Sequence, residues 1–325
     1  MELFVTGGAG FIGSNFVRHV LEHYPQARVL NYDALTYAGH PSSIADLPTR
    51  YKDRYRFVQG DIADQDQVQN LLGDDLFYAV VNFAAESHVD RSIHSSMDFI
   101  RTNIAGTQVL LDAARNSGVR RFVQVSTDEV YGSLGPEGRF SETSPLQPSS
   151  PYSASKCAAD LLALAAHHTH GQDVVITRCS NNYGPFQFPE KLIPLMITRA
   201  LNDEKLPVYG DGLNVRDWIH VSDHCRAVNS VLHQGRSGHI YNVGADSEMR
   251  NIDVVHMLLR ELGKPESLIE FVKDRLGHDR RYAIDSAKIR QELDWKPLVH
   301  FADGLSQTIK WYRNNEAWWR PLLNT

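Results

Sequence analysis

Thr6-Gly7-Gly8-Ala9-Gly10-Phe11-Ile12-Gly13 follows directly on the apolar run Leu3-Phe4-Val5 and opens a helical pattern over residues 14–23. A strand, a glycine-rich turn and a helix in that order point the first peptide N–H groups of the helix at whatever lies over the turn, and their partial positive charge suits a pyrophosphate. Gly7, Gly10 and Gly13 allow a tight turn, close backbone approach to the ligand and close helix packing, with Phe11 and Ile12 between them. A glycine turn alone is a weak signal; its position between strand and helix is the stronger one. Asp33 then closes the second apolar run, where a carboxylate can accept hydrogen bonds from an adenosine ribose and would repel a 2′-phosphate. NAD is therefore expected rather than NADP.

Working outward, short β-branched or aromatic runs at residues 3–6, 29–32, 57–60, 79–82, 122–126 and 174–179 alternate with longer helical patterns. Such alternation predicts an α/β fold, a doubly wound parallel sheet of the Rossmann type covered by helices on both faces. Asp61 and Ile62 after the third run, and Phe83, Ala84 and Ala85 after the fourth, then fall at strand C-termini, where open α/β sheets bind ligands. Beyond Cys179 the pattern loosens into segments punctuated by proline and glycine, which predicts residues 1–178 as the dinucleotide-binding domain and 179–325 as a smaller substrate lobe. Ile240-Tyr241-Asn242-Val243-Gly244 again reads as a buried strand, so segments near 215–245 are expected to return to the first domain.

With 325 residues, 42% of them hydrophobic and 22% charged, the composition is that of a folded globular chain. A net charge of −6 disfavours nucleic acid or an anionic membrane as partner, so phosphate binding must be local. No apolar run approaches a membrane span, and Met1 leads at once into the first strand instead of a basic then apolar leader. A cytoplasmic enzyme is the expectation. Cys157, Cys179 and Cys225 lack metal or redox spacing and read as reduced, partly buried side chains.

The chemistry is carried by Ser150-Pro151-Tyr152-Ser153-Ala154-Ser155-Lys156 and Ser126-Thr127-Asp128-Glu129-Val130-Tyr131-Gly132. With Pro151 at the first helical position and a serine cap before it, Tyr152 and Lys156 share one face, one turn apart. The lysine ammonium and an oxidised nicotinamide would both favour a tyrosine phenolate, which can take a hydroxyl proton while the carbon beneath gives up hydride. Simple alcohol oxidation needs no further carboxyl groups. Elimination of water needs one acid and one base, which Asp128 and Glu129 could supply. Neighbours in a strand face opposite ways, so both can serve one site only if they lie past the strand end, in a turn or helix start. For Asp128 to act as an acid its carboxyl must be pushed up by burial or by Glu129.

These segments resemble the extended short-chain dehydrogenase/reductase family, and more closely the dTDP-glucose 4,6-dehydratases. The resemblance runs over nearly the whole chain and includes Ala84-Ala85-Glu86-Ser87-His88-Val89-Asp90-Arg91-Ser92, Cys179-Ser180-Asn181-Asn182-Tyr183-Gly184-Pro185, Phe188-Pro189-Glu190-Lys191-Leu192-Ile193-Pro194, Arg216-Asp217-Trp218 and Gly277-His278-Asp279-Arg280-Arg281-Tyr282. Leu276 departs from it, standing where the pattern usually has proline, which loosens a nucleotide-binding loop. The resemblance implies conversion of dTDP-glucose to its 4-keto-6-deoxy derivative, with NAD reduced and reoxidised within one cycle. It implies that Tyr152 takes the C4 hydroxyl proton, Thr127 bonds the same oxygen, Lys156 holds Tyr152 and the nicotinamide ribose, Glu129 is the base at C5 and Asp128 the acid at C6. Cofactor contacts are expected from the residues above with Ala34, Leu35, Thr36, Ser87, Thr102 and Asn182. The sugar–phosphate side falls to Ser87, Thr127 and Asn181, and the nucleotide to Lys191, Leu192, Pro207, Tyr209, Arg216, Asn242, Asp274, Arg275 and His278. Arg216 suits diphosphate oxygens, and Tyr209 with Pro207 a pyrimidine face.

Plainer readings stand beside these. His167, His168 and His170 lie at a helix end before Gly171 with no accompanying ligand set, so they read as partners of terminal carbonyls or water, and no metal is expected. Trp311, Trp318 and Trp319 read as packing for a C-terminal helix. The alanine- and leucine-rich Tyr152 helix is apolar on more than one face, and family members pair it with the helix near 106–116 in a four-helix bundle, so a homodimer is expected. The rival enzymes are a nucleotide-sugar 4-epimerase, which has no leaving group to protonate, and a GDP-mannose or CDP-glucose dehydratase. A non-catalytic NAD-dependent regulator would have no need of the full catalytic set.

Overall fold

The computed structural model describes residues 1–274 and 277–324. Each apolar run of the first half forms a strand: β1 (Glu2–Thr6), β2 (Arg28–Asp33), β3 (Tyr55–Gln59), β4 (Ala79–Asn82), β5 (Arg121–Thr127) and β6 (Val174–Cys179). With β10 (Ile240–Val243) they make a seven-stranded sheet in the order β10-β6-β5-β4-β1-β2-β3, every neighbouring pair parallel. The chain reverses its direction of travel across the sheet between β1 and β4, which opens a crevice beyond the strand C-termini.

Side chains alternate along each strand and so serve two layers. Leu3, Val5, Val29 and Val81 face helices Phe11–His23 and Val221–Gln234, packing on Phe16, Val20, Val228 and Val231. Phe4, Leu30, Val80 and Phe122 face Gln65–Asp74, Thr107–Asn116 and Pro151–His170, packing on Val68, Leu72, Leu110 and Ala163. Both faces are thus covered, as a parallel sheet requires. Although Val221–Gln234 and β10 come well after β6 in the chain, they belong to this first layer system.

The remaining strands are β7 (Asn181–Tyr183), β8 (Leu206–Tyr209), β9 (Val215–His220), β11 (Glu248–Arg250) and β12 (Ile269–Val272). They form a three-stranded sheet, β11-β9-β7, and a two-stranded sheet, β12-β8. A separate core joins them to the later helices, with Ile193, Ile197, Val208, Trp218, Leu258, Leu305, Tyr312 and Trp319 buried together. Trp311 and Trp318 pack on that core and clasp Phe186 between them. Among the described residues no helix is long and apolar enough to cross a membrane, and no group of three or more His, Cys, Asp or Glu side chains could hold a metal ion.

Candidate active site

A cleft of about 530 Å³ lies over the C-terminal ends of β1, β4, β5 and β6. At one end the turn Gly7–Gly13 lies against β4, close enough that a Cβ on Gly7 would meet the Ala84 nitrogen at 2.5 Å and one on Gly13 the Gly7 carbonyl oxygen at 2.2 Å. Gly7 also sits at φ +68°, a left-handed conformation that only glycine adopts without strain. The helix Phe11–His23 has no side-chain cap and no acid in its first turn, which leaves its terminal N–H groups to an anion over the turn. Asp33 fixes this arrangement: one carboxylate oxygen accepts from the Ala9 N–H and the other from the Leu35 N–H, each at 2.8 Å. The cradle fits a dinucleotide. Gly13→Ala is accordingly expected to lower the NAD retained on purification at least about tenfold, a loss of roughly 1.4 kcal/mol, measured as nicotinamide released from heat-denatured protein.

In the middle of the cleft, β5 ends and the chain enters a short 3₁₀ turn, Asp128–Tyr131, capped by Thr127, whose Oγ1 accepts from the Glu129 N–H at 3.3 Å. Departure from strand geometry lets Thr127, Asp128 and Glu129 all line the cleft. Asp128 is 2% exposed, and burial first, then Glu129 and Asp217, push its carboxyl well above the usual range. An aspartic acid that keeps its proton in neutral solution can donate it.

Across from this turn, the helix Pro151–His170 begins with Ser150 as cap, reciprocally bonded with Ser153. The cap fixes the first turn, and with it Tyr152 and Lys156, which both line the cleft. Lys156 Nζ donates to the Val125 carbonyl at 2.8 Å. Within the protein's own groups the Tyr152 phenol is held protonated: burial, then Glu129 and Cys179, push it well up, while the Thr127 hydroxyl pulls it down. The expected phenolate therefore does not follow from Lys156 alone, and needs the added positive charge of an oxidised nicotinamide ring.

The cleft brings together Gly7, Gly10, Phe11, Ile12, Gly13, Asp33, Ala34, Thr36, Asp61, Ile62, Phe83, Ala84, Ala85, Ser87, Thr102 and Asn182, and with them Asn181 and Lys191. Leu35 is not among the cleft-lining residues; its N–H, at φ +54°, serves Asp33. Asn242 is fully buried in β10, its Oδ1 accepting from the Tyr131 hydroxyl at 2.8 Å and its Nδ2 donating to the Phe140 carbonyl at 3.1 Å. Leu192, Pro207, Tyr209, Arg216, Asp274 and His278 lie outside the cleft lining. Of these, Tyr209, Asp274 and His278 form their own group, with the Tyr209 and His278 rings edge to face at 6.3 Å and the His278 Nδ1 to Asp274 Oδ1 distance 2.6 Å. Arg216 is 5% exposed, stacked on Tyr282 and donating to the Val215 and Asp279 carbonyls. Arg275 and Leu276 lie outside the described residues.

Other cleft residues escaped the sequence reading. Ser126, Cys179 and Ser180 line the cleft where β5 and β6 end, and Glu190 and Gln187 come from the loop before Leu192–Leu201. Their position at strand C-termini was the available signal for the first three. Cys179 is not poised as a nucleophile, since burial and Asp128 push its thiol up to about 12. Arg101 lines the cleft beside Asp61, with which it makes a 2.6 Å ion pair.

The strand order, the turn over β1, and Tyr152 with Lys156 beside the strand ends define a dinucleotide-dependent enzyme of the short-chain dehydrogenase/reductase class. Within it, the chain belongs to the GDP-mannose 4,6 dehydratase family, whose model matches residues 4–308. It is 53% identical to a dTDP-glucose 4,6-dehydratase of Streptomyces niveus over 99% of this chain and 96% of that protein. DesIV, a dTDP-glucose 4,6-dehydratase of Streptomyces venezuelae solved with NAD and TYD bound, superposes with a TM-score of 0.95 at 52% identity, covering 99% of this chain and all of that one. A UDP-glucose 4-epimerase of Thermus thermophilus in complex with NAD shares the fold at a TM-score of 0.89 and 29% identity, over 97% of this chain and 100% of that one.

Proposed function

We propose that this chain is an NAD-dependent hydro-lyase that converts dTDP-glucose to dTDP-4-keto-6-deoxyglucose. The observation that carries this reading is the placement of Asp128 and Glu129 past the end of β5, where both reach the cleft that holds Tyr152 and Lys156. Similarity of about half of all positions to dTDP-glucose 4,6-dehydratases supports the same conclusion. Bound in the cleft, NAD supplies the redox chemistry, accepting hydride from C4 of the sugar and returning it to C6. Tyr152 takes the C4 hydroxyl proton, with Thr127 hydrogen-bonded to the same oxygen and the Lys156 ammonium stabilising the phenolate. The C4 ketone acidifies the neighbouring C5–H. Glu129 removes that proton, and Asp128 gives its own to the C6 hydroxyl, which leaves as water. Once C6 is reduced, Glu129, whose proton exchanges with solvent, protonates C5, and Tyr152 releases its proton to solvent while Asp128 takes one up, which restores the starting state. One base and one acid side by side suit elimination, whereas epimerisation at C4 has no group to expel.

Residues 179–325 outside the first sheet supply the nucleotide-sugar side. In this reading Asn181 and Ser87 meet the sugar and phosphates, and Lys191, Pro207, Tyr209, Arg216, Asp274 and His278 form the nucleotide side. Purified protein given dTDP-glucose without an external acceptor should yield a sugar nucleotide lighter by one water, with no net reduced cofactor. An isobaric new product would instead identify an epimerase.

The enzyme is proposed to be cytoplasmic and to pair through two helices. Leu161 is 53% exposed in the middle of Pro151–His170, with Ala154 and Ala165 exposed on the same face, and Met97 and Ile100 are 67% and 43% exposed on the neighbouring segment. A contiguous apolar face of this kind suits an isologous contact. Leu161→Glu is expected to halve the mass in light scattering while leaving the unfolding transition cooperative.

A further inference from the structure

Behind Lys156, away from the cleft, is a buried group of charges that the proposed steps do not use. Asp160 lies one turn beyond Lys156 on the same helix, so the two share a face. It is 0% exposed. Its Oδ2 accepts from Arg178 Nε of β6 at 2.9 Å, and the Ser126 hydroxyl also supports the ionised carboxylate. The guanidinium of Arg178, 1% exposed, lies 4.8 Å from the centre of the Tyr131 ring, and the Tyr131 hydroxyl donates to Asn242 Oδ1. Asp160, Arg178 and Tyr131 do not line the cleft. A fully buried ion pair is weak evidence of a stabilising role, because apolar residues of similar volume often fill such a place as well. What distinguishes this pair is its neighbour.

We propose that Asp160, kept ionised by Arg178, is a positioning residue that holds Lys156 in its ammonium form behind Tyr152. The inference rests on the reading of Lys156 as the partner of Tyr152. Lys156 is 4% exposed, and its Nζ donates to the Val125 carbonyl. Burial weakens its hold on the proton, and Asp160 is the foremost group opposing this, ahead of Cys179. Burial likewise pushes the Asp160 carboxyl up, and Arg178 is the foremost group pulling it down. The titratable and charged groups around Lys156 are then Tyr152, Cys157 and Asp160 on its own helix, Cys179 on β6, and Asp128 with Glu129, which line the same cleft from the end of β5, while Arg178 of β6 stands behind Asp160. Burial pushes the Asp128 carboxyl and the Tyr152 phenol well up, whereas Asp160 is held in a 2.9 Å ion pair with Arg178 and lies one turn from Lys156 outside the cleft lining. Arg178 directs its own charge at Asp160 through the Nε contact. Charge therefore passes in relay, from Arg178 to Asp160 to Lys156, and decides how strongly Lys156 can draw a proton from Tyr152.

The test replaces the pair together, as Asp160→Asn/Arg178→Gln and, in a second protein, Asp160→Leu/Arg178→Met, so that neither buried charge is orphaned. Lysine labelled with ¹³C at Cε, with Lys156 assigned by Lys156→Arg, reports its protonation directly in the NAD-loaded protein. The Lys156 midpoint is expected to fall by at least about one pH unit in either double variant, and the acid limb of the turnover–pH profile to move to higher pH by a similar amount. A folded double variant with an unmoved Lys156 midpoint overturns the proposal, as does a turnover that drops equally at all pH values. Failure of both variants to fold would assign the pair to stability and likewise overturn it. A wild-type protein inactive on dTDP-glucose would sink the dehydratase reading while leaving the Lys156 titration to decide this one.

Discussion

Glu129→Gln is expected to stop the reaction halfway. The substitution keeps the size and the backbone of the 3₁₀ turn, in which the Glu129 N–H bonds Thr127 Oγ1, but removes both steps assigned to this side chain, abstraction of the C5 proton and its later return. Turnover to dehydrated sugar nucleotide should fall about 10²–10⁴-fold, the range a single general base contributes. Tyr152 and Lys156 are untouched, so oxidation at C4 should still occur once, and the near-ultraviolet absorbance of reduced nicotinamide should build up on mixing and persist. Solvent deuterium exchange at C5 should disappear. Normal turnover by this variant would remove Glu129 from the mechanism.

Asp128 should fail differently. Its carboxyl is raised well above the usual range by burial and then by Glu129, so it keeps its proton to higher pH than an ordinary aspartate and loses it as pH rises further. A general acid of this kind gives a rate that declines on the alkaline side, and Asp128→Asn should lower the rate and erase that limb. Because Glu129 helps to hold the Asp128 proton in place, Glu129→Gln should shift the Asp128 titration to lower pH. The two carboxyl groups thus titrate as a pair.

Much of this site was legible because it follows from local rules. The strand–turn–helix at Gly7–Gly13 depends on residues adjacent in sequence, and the turn at Asp128–Glu129 was required by the two-residue period of a strand. Contacts between distant segments were not legible. Asn242 lies in Tyr241-Asn242-Val243, and nothing in that stretch shows that the Tyr131 hydroxyl will arrive from 111 positions away to claim its side-chain oxygen. An aspartate on a helix usually faces solvent, and nothing adjacent to Asp160 in the sequence marks it as an exception. It is buried because β6 lies beside that helix in a register that brings Arg178 to it. Leu35 continues a loop whose geometry is set by the Asp33 carboxylate bonding backward to Ala9 and forward to Leu35 itself. The group around Tyr209 and His278 depends on the parallel pairing of β8 with β12, segments separated in the chain by the helices Val221–Gln234 and Asn251–Leu262 and by three strands.

Tyr152→Phe should stop the reaction before it begins, and the contrast with Glu129→Gln separates the oxidative half from the eliminative half. Phenylalanine fills the same buried space, so the helix, its Ser150 cap and the Lys156 bond to Val125 should survive, and NAD should remain bound. No group is then left to take the C4 hydroxyl proton. Thr127, the other side chain placed at that oxygen, is an alcohol and cannot hold an extra proton near neutral pH. Turnover is expected to fall at least about 10³-fold, with no reduced nicotinamide appearing at any time after mixing. Tritium or deuterium placed at C4 should stay there, whereas in Glu129→Gln it should pass to the cofactor. If Tyr152→Phe instead accumulated reduced nicotinamide, another group must take that proton. The candidates in the cleft would be Cys179, whose thiol is held up at about 12, and Glu129, the base otherwise assigned to C5. A second substitution, Glu129→Gln in the Tyr152→Phe background, would separate these, since only proton transfer to Glu129 would then be lost.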